Sequence, residues 1–315
     1  MIEILYYDGK AARKGKLADL QKLKKKQIWI DVTDIKAEEA ELLATTFKLH
    51  PLTKEDLKIS ITRVKIEEFP NYLFCVFYGI HKARHIELIE LDFVLGKNFL
   101  ITNHFKERPL FEEFKKDMEK VTHQFKKGGV SFIFHKLIDK EVDGFFPILE
   151  SIDEEVTELD EQITQKQDQH ILKKILKLKK IMVPVRKTVN YQRDKLSMLR
   201  KGEYCFISDK ALPYFRDVHD HAVRVCDLID TLREAVTNAF DLYMLSVSNR
   251  MNEIMKALSA LATVALPLTV ISSIYGTNFH VLPGSTHPFG FWIMIASMLV
   301  VSTTLLVIFK KKDWI

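Results

Sequence analysis

The sequence predicts an α/β domain at the amino-terminal end, then long α-helices, then two membrane-spanning helices at the carboxyl-terminal end. Three observations carry this reading. The first hundred residues alternate strand-like and helix-like stretches. From about Ser131 the pattern turns helical and charge becomes segregated. From Ala257 to Phe309, 53 consecutive positions hold no Asp, Glu, Lys or Arg, although 28% of the 315 residues are charged. The chain is accordingly divided into 1–128, an α/β domain, 129–250, a helical hairpin and stalk, and 251–315, a two-span region with an outer loop at 276–288.

In the first part, Ile2 to Asp8, Ile28 to Thr33, Tyr72 to Ile80 and Leu88 to Asn103 are rich in β-branched and aromatic residues, the composition of strands. A helical pattern, AEEAELLATTF, follows Thr33, and packed layers of helix and sheet result. The segment GKAARKGKL invites comparison with a phosphate-binding loop, but five residues separate Gly9 from Gly15 and Leu17 stands where Ser or Thr is needed. It reads as a basic turn.

In the second part, Asp139 to Glu161 holds ten acidic residues and one lysine, whereas Lys173 to Lys201 holds eleven basic residues and one acid. The two runs form the antiparallel arms of one helical hairpin that turns near Thr164 to His170. Either run is what a solvated helix face looks like; together they could gather divalent cations on one arm and oppose them on the other. A third helix starts at Pro213, where proline suits a helix start, and continues without glycine to Tyr275. Those 63 residues would measure about 95 Å.

The last part holds two apolar runs, Ala257 to Tyr275 and Phe289 to Phe309, of 19 and 21 residues. A hydrocarbon core about 30 Å thick needs roughly 20 helical residues, so each run spans once. Pro267 is tolerated where neighbouring helices satisfy the freed carbonyl. Arg250 and Lys256 precede the first span and Lys310, Lys311 and Lys312 close the second, which places both flanks in the cytoplasm. Phe291, Trp292 and Trp314 suit interfacial belts, although Trp314 could equally pack on the soluble domain. The start, MIEILYYDGK, lacks a basic stretch followed by an apolar one, so no signal peptide is expected.

One face of the long helix is unusual. Ser248, Asn252, Met255, Ser259, Ala262, Leu266, Thr269, Ser273 and Gly276 recur at alternating steps of four and three, and seven of these nine are small or mildly polar. Such a stripe serves either close helix packing in lipid or the lining of a pore. It leads to Gly276, Thr277 and Asn278, of which Gly276 and Asn278 suit a left-handed helix cap.

At Tyr275-Gly276-Thr277-Asn278-Phe279 the sequence resembles the CorA family of magnesium channels, whose signature is Tyr-Gly-Met-Asn-Phe directly after the first of two carboxyl-terminal spans. The likeness continues in PYFRDVHDH (Pro213 to His221), FDLYMLSVSNRMNEIMK (Phe240 to Lys256), LPLTVISSIYG (Leu266 to Gly276) and the closing KKKDW. The resemblance implies a homopentameric funnel with five long helices around the conduction path. It implies a selectivity mouth at Gly276, Thr277 and Asn278, and a pore lined by Asn252, Met255, Leu258, Leu266 and Thr269, with Ser259, Ala262 and Ser273 on the same stripe. Asp217 and Asp241 match the family's regulatory carboxylates at the cytoplasmic subunit interface, where bound magnesium holds the channel closed. The family's partner carboxylate would fall near Ile80 to Lys82, where no acid stands. Two departures bear on the cargo: Thr277 replaces the signature Met, and the loop VLPGSTHP lacks the Glu that usually follows Pro, while His280 and His287 are added.

The expected function is passive transport of Mg2+ (with Co2+ a second candidate) across the cytoplasmic membrane. A Zn2+ or other divalent-cation transporter of the same superfamily is an alternative, since imidazole suits zinc and cobalt. A membrane-anchored sensor or scaffold is another, and it predicts a greasy stripe and a dispensable loop. No HExxH or GxSxG supports an enzyme. The net charge of +5 brings no nucleic-acid motif with it, so the expected partners are the lipid bilayer, divalent cations and other copies of the chain. Cys75, Cys205 and Cys226 are odd in number and widely spaced, which argues against a disulfide framework.

Overall fold

The computed structural model describes every residue except Ile61, Arg84, Lys166, Gln167, Val281, Ser285, Thr286, Asp313 and Ile315. The hairpin turn at Thr164 to His170, the loop VLPGSTHP and the closing KKKDW therefore lie partly outside the described residues. By contacts the chain forms two units, Met1–Leu159 with Leu172–Ala239, and Asp160–Ile171 with Phe240–Ile315.

The first unit is built on a seven-stranded sheet. Its strands are β1 (Ile2–Tyr7), β2 (Ala12–Gly15), β3 (Gln27–Thr33), β4 (Lys65–Phe69), β5 (Tyr72–Lys82), β6 (Ile86–Gly96) and β7 (Phe99–His104), in the order β2-β1-β3-β7-β6-β5-β4. All neighbours are antiparallel except β3 and β7 at the centre. Because successive strand side chains point to opposite faces, β3 serves two cores. Ile28, Ile30 and Val32 pack with α2 (Ala37–Phe47) and with Leu20 and Leu23 of the one-turn α1 (Leu20–Leu23). After α3 (Pro51–Asp56) the chain returns to the sheet through β4. On the other face, Trp29 meets Phe111 and Phe114 of α4 (Pro109–Lys116), and Phe93 meets Phe134 of α6 (Val130–Asp143). Between these helices lies α5 (Met118–Gly128).

Two sequence expectations change here. Leu88 to Asn103, read as one stretch, is a hairpin of β6 and β7. A Cβ on Gly96 would lie 2.1 Å from the Phe99 ring, so glycine there lets that ring lie against the strand end. The basic turn at GKAARKGKL contains a strand: β2 pairs with β1 from Tyr7↔Ala12 to Ile4↔Gly15. Its charges follow from its edge position, where Arg and Lys keep a free strand from recruiting another.

The hairpin arms are α7 (Phe145–Gln165) and α8 (Gln169–Leu199), and the long helix is α9 (Leu212–Tyr275), 64 residues and about 96 Å. It begins one residue before Pro213, after a short 3-10 turn at Asp209–Ala211. Within the first unit each of these helices buries a seam at alternating steps of four and three. Examples are Leu149, Ile152 and Val156 on α7, Leu178, Met182 and Val185 on α8, and Val218, Ala222, Val225 and Ile229 on α9. The same rhythm on three helices is the pattern of coiled packing.

The second unit contains the outer part of α9 and α10 (Gly290–Lys311), both long and apolar enough to cross a membrane. At the hairpin tip, Ile163 and Ile171 are buried, and the Ser246 hydroxyl reaches the Ile163 carbonyl at 3.5 Å. Trp314 stacks on Phe309 of α10 with ring centroids 5.6 Å apart.

Candidate ion path and cation cluster

Every predicted lining position on α9, Asn252, Met255, Leu258, Ser259, Ala262, Leu266, Thr269 and Ser273, is exposed within the single chain. The covered positions of the same span are Ala260, fully buried, and Val264, Pro267, Leu268 and Ile271, partly so. At about 100° per residue these two sets lie on roughly opposite faces of the helix. The predicted stripe is therefore uncovered, as are large apolar positions outside it such as Leu261, Val270 and Ile274. Thr269 donates its hydroxyl proton to the Ala265 carbonyl at 2.9 Å, which leaves its oxygen lone pairs for an outside donor. Asp241, exposed and seven residues before Ser248, continues this stripe away from the apolar span.

Asn278 at the end of the stripe is exposed. The left-handed cap expected at Gly276 and Asn278 is not formed, since neither has a positive φ. The helix instead tightens as it ends. Gly276 N–H donates to Ser272 and Ser273 carbonyls, and both the N–H and the hydroxyl of Thr277 donate to the Ile274 carbonyl. These bonds satisfy the terminal carbonyls that a left-handed residue would otherwise serve. His280 is exposed, and His287 accepts a hydrogen bond from Phe289 N–H on its Nδ1 at 3.2 Å.

A second site joins α6 to α9 within the first unit. His135, Asp139 and Asp143 succeed one another at steps of four on α6, as do Asp217 and His221 on α9, so each set lies on one helix face. Ligand atoms of Asp139, Asp143 and His221 all lie within 4.8 Å of one another. His221 Nδ1 is 2.8 Å from Asp143, and its Nε2 is 3.9 Å from Asp217. Lys136 places its ammonium 2.6 Å from Asp139. At the inner end His135 is buried between Tyr214 and Phe215, its Nε2 without a partner, and burial pushes its imidazole down to about 4 against the pull of Asp139. Two carboxylates and an imidazole from two helices can hold a divalent ion and tie those helices together.

Of the two predicted carboxylates, Asp217 sits beside this cluster. Asp241 does not, being 24 residues further along the same helix, about 36 Å at 1.5 Å per residue. Asp139, Asp143, His135 and His221 were missed as a set. The step-of-four spacing on each helix was the available signal, but only the fold pairs α6 with α9. Near Ile80 to Lys82, Ile80 is buried and Lys82 donates to the Ser151 hydroxyl at 2.8 Å.

Another acidic group, Glu3, Asp31 and Glu112, also meets the spacing of a metal site, but the Lys115 ammonium stands within it at 2.5, 2.7 and 2.5 Å. Burial alone would pull Lys115 down. The carboxylates, Asp31 foremost, outweigh it and hold the ammonium above its usual range.

Residues 24–311 match the family described as CorA-like Mg2+ transporter protein. The cobalt/magnesium transport protein CorA of Thermotoga maritima is 32% identical, covering 100% of this chain and 92% of its own. Among solved structures, that of the CorA magnesium transporter from Methanocaldococcus jannaschii superposes with a TM-score of 0.88 at 22% identity, over 100% of this chain and 99% of that one. The ZntB cytoplasmic domain from Vibrio parahaemolyticus gives a TM-score of 0.64 at 12% identity, over 78% of this chain and 98% of that domain. The two structural likenesses establish the fold. The match over nearly the whole length establishes the lineage: this chain belongs to the CorA family.

Proposed function

We propose that the chain transports magnesium, with cobalt as a second cargo, passively across the cytoplasmic membrane through a ring of five copies. Both termini lie in the cytoplasm, as the flanking lysines and arginines direct. The observation that supports this reading is that the small and weakly polar stripe of α9, which leads to Asn278, is exposed along its whole length among the described residues. In a symmetric ring such faces would meet around an axis and give a hydrated ion a continuous polar wall. Magnesium releases its water reluctantly, and neutral Asn278 amide oxygens can order that water without the grip of a carboxylate. A divalent ion crossing 100 mV gains about 4.6 kcal/mol, sufficient for accumulation without nucleotide hydrolysis.

Gating would rest on two separate positions. The Asp139, Asp143 and His221 cluster, with Asp217 at its edge, would bind intracellular divalent cation and lock α6 to α9. Asp241, on the stripe itself, would gather ions at the cytoplasmic entrance. The reading is tested by uptake of magnesium, cobalt and zinc into liposomes with and without a pH gradient, and by native mass spectrometry in detergent. We expect a pentamer, and in Asn278→Ala at least a roughly tenfold loss of magnesium flux, the scale on which a lost set of ordering hydrogen bonds acts. A stable monomer, or unchanged flux in an assembled Asn278→Ala ring, refutes it. Faster zinc than magnesium entry would assign the cargo to the alternative.

A further inference from the structure

We infer that Tyr275 and Gly290 are positioning residues for the outer mouth, clamping the backbone of Pro283 and Gly284 to the ends of both spanning helices and so holding Gly276, Thr277 and Asn278 in place. The inference rests on reading those three residues as the mouth.

Tyr275 is the last residue of α9, and its hydroxyl donates to the Pro283 carbonyl at 2.9 Å. That bond joins the two ends of the segment that carries the mouth residues, and closing a short segment removes most of its freedom. The next residue, Gly284, has a φ of +80°, which turns the backbone in a sense that a side chain resists. Its carbonyl oxygen then comes so close to Gly290, the first residue of α10, that a Cβ there would lie only 2.2 Å away. No side chain fits at that distance, so glycine at 290 is what lets the loop rest on the second helix. Two adjacent loop residues are thus tied to two helices. The His287 N–H donates to the Gly284 carbonyl at 3.2 Å and the Gly290 N–H to the His287 carbonyl at 2.9 Å, continuing the clamp through the start of α10.

A cavity of about 340 Å³ lies alongside, lined by Ser272, Tyr275, Gly276, Gly284 and Phe291 among others. It gives the segment room to shift once released. A mouth held by neutral amides selects through the spacing of its oxygens rather than through charge, so loss of position shows first as loss of discrimination.

The test uses the full chain, with the assembled ring verified by native mass spectrometry and then placed in liposomes. Half-saturating magnesium, maximal flux and the magnesium-to-calcium flux ratio are measured for wild type, Tyr275→Phe and Gly290→Ala. In Gly290→Ala we expect half-saturation to rise about tenfold, as an overpacked contact would cause, with the flux ratio falling in step. Tyr275→Phe, which keeps the ring and removes only the donor, should move both in the same direction by about threefold, the net worth of one hydrogen bond. An assembled Tyr275→Phe ring with wild-type half-saturation and flux ratio overturns the inference, and this variant decides even where Gly290→Ala fails to assemble. Failure of the mouth reading itself is distinguishable, because assembled Asn278→Ala would then conduct as wild type does.

Discussion

Two acidic groups in the first unit differ in who supplies their cation. Glu3, Asp31 and Glu112 surround Lys115, whose side chain is only 5% exposed and within 2.7 Å of all three. Asp139 and Asp143 meet His221, and among the described residues only Asp139 has an ammonium beside it, from a Lys136 side chain that is 36% exposed. The first group is filled from within the chain and has nothing left to bind. The second is partly filled, runs from buried Asp139 to exposed Asp143, and is bridged between two helices. Carboxylate spacing alone would rank the two alike, so the difference lies in the burial and position of a lysine. A charge cluster is a site for an outside ion only to the extent that its own chain leaves it unneutralised.

The largest effect should come from emptying the filled group. Lys115→Met leaves buried Asp31 without its ammonium, and orphaning one partner of a buried pair costs about 3–5 kcal/mol. Thermal unfolding of the full chain should shift down sharply. The vacated group then has the ligands of a cation site, so millimolar magnesium should restore part of the loss in Lys115→Met while doing nothing through this group in wild type. If Lys115→Met melts with wild type, Lys115 is not what neutralises the group. Asp31 adds a pH limit of defined sign. Burial raises its carboxyl, but His104 and Lys115 together outweigh burial and hold it below 3.8. Its contribution is therefore present above pH 3.8 and lost as pH falls through the lower folded value.

These two groups also show how far the sequence could be read. The two apolar helices and the long helix were legible because each is written within one continuous stretch, where length, charge and a rhythm of three and four act locally. The split of Leu88 to Asn103 was missed because both strands share one strand-like composition, which does not announce where the chain reverses. The strand at Ala12–Gly15 was hidden because edge strands carry charge. The cation cluster was illegible for a different reason: Asp143 and His221 are 78 residues apart. Only the packing of α6 on α9 brings them together. The left-handed cap at Gly276 was expected from residue type, whereas the structure serves the same carbonyls through Thr277.

The second effect concerns the open group. An ion that binds the folded chain stabilises it by about 2.7 kcal/mol at a hundredfold excess over its dissociation constant. Titrating cobalt against wild type should therefore raise the unfolding temperature, with a midpoint that reports the Asp139, Asp143 and His221 cluster. In Asp139→Asn/Asp143→Asn the rise should be absent or moved to at least tenfold higher cobalt, since two anionic ligands are lost. The same variant should need more internal magnesium to close. An unchanged midpoint in both measurements would remove the cluster from gating and leave Asp217 without a metal partner on its own chain.

The smallest effect is also the sharpest test of the comparison, because it alters the cation and leaves every carboxylate in place. Lys136 lies one turn before Asp139 on α6, and its ammonium competes for the same oxygen that a divalent ion would use. A metal must therefore displace a tethered monovalent charge or share Asp139 with it. Because Lys136 is partly solvated, the competing pair is worth no more than about 1 kcal/mol, which corresponds to about a fivefold change in affinity. Lys136→Met should thus lower the cobalt midpoint up to about fivefold, and more clearly at low ionic strength, where the pair is least screened. The change runs opposite to that of the carboxylate variants, so general damage to α6 cannot imitate it. If Lys136→Met leaves the midpoint unchanged or raises it, the ammonium does not compete with the ion, and the partial filling that distinguishes this group from the Lys115 group has no consequence for binding.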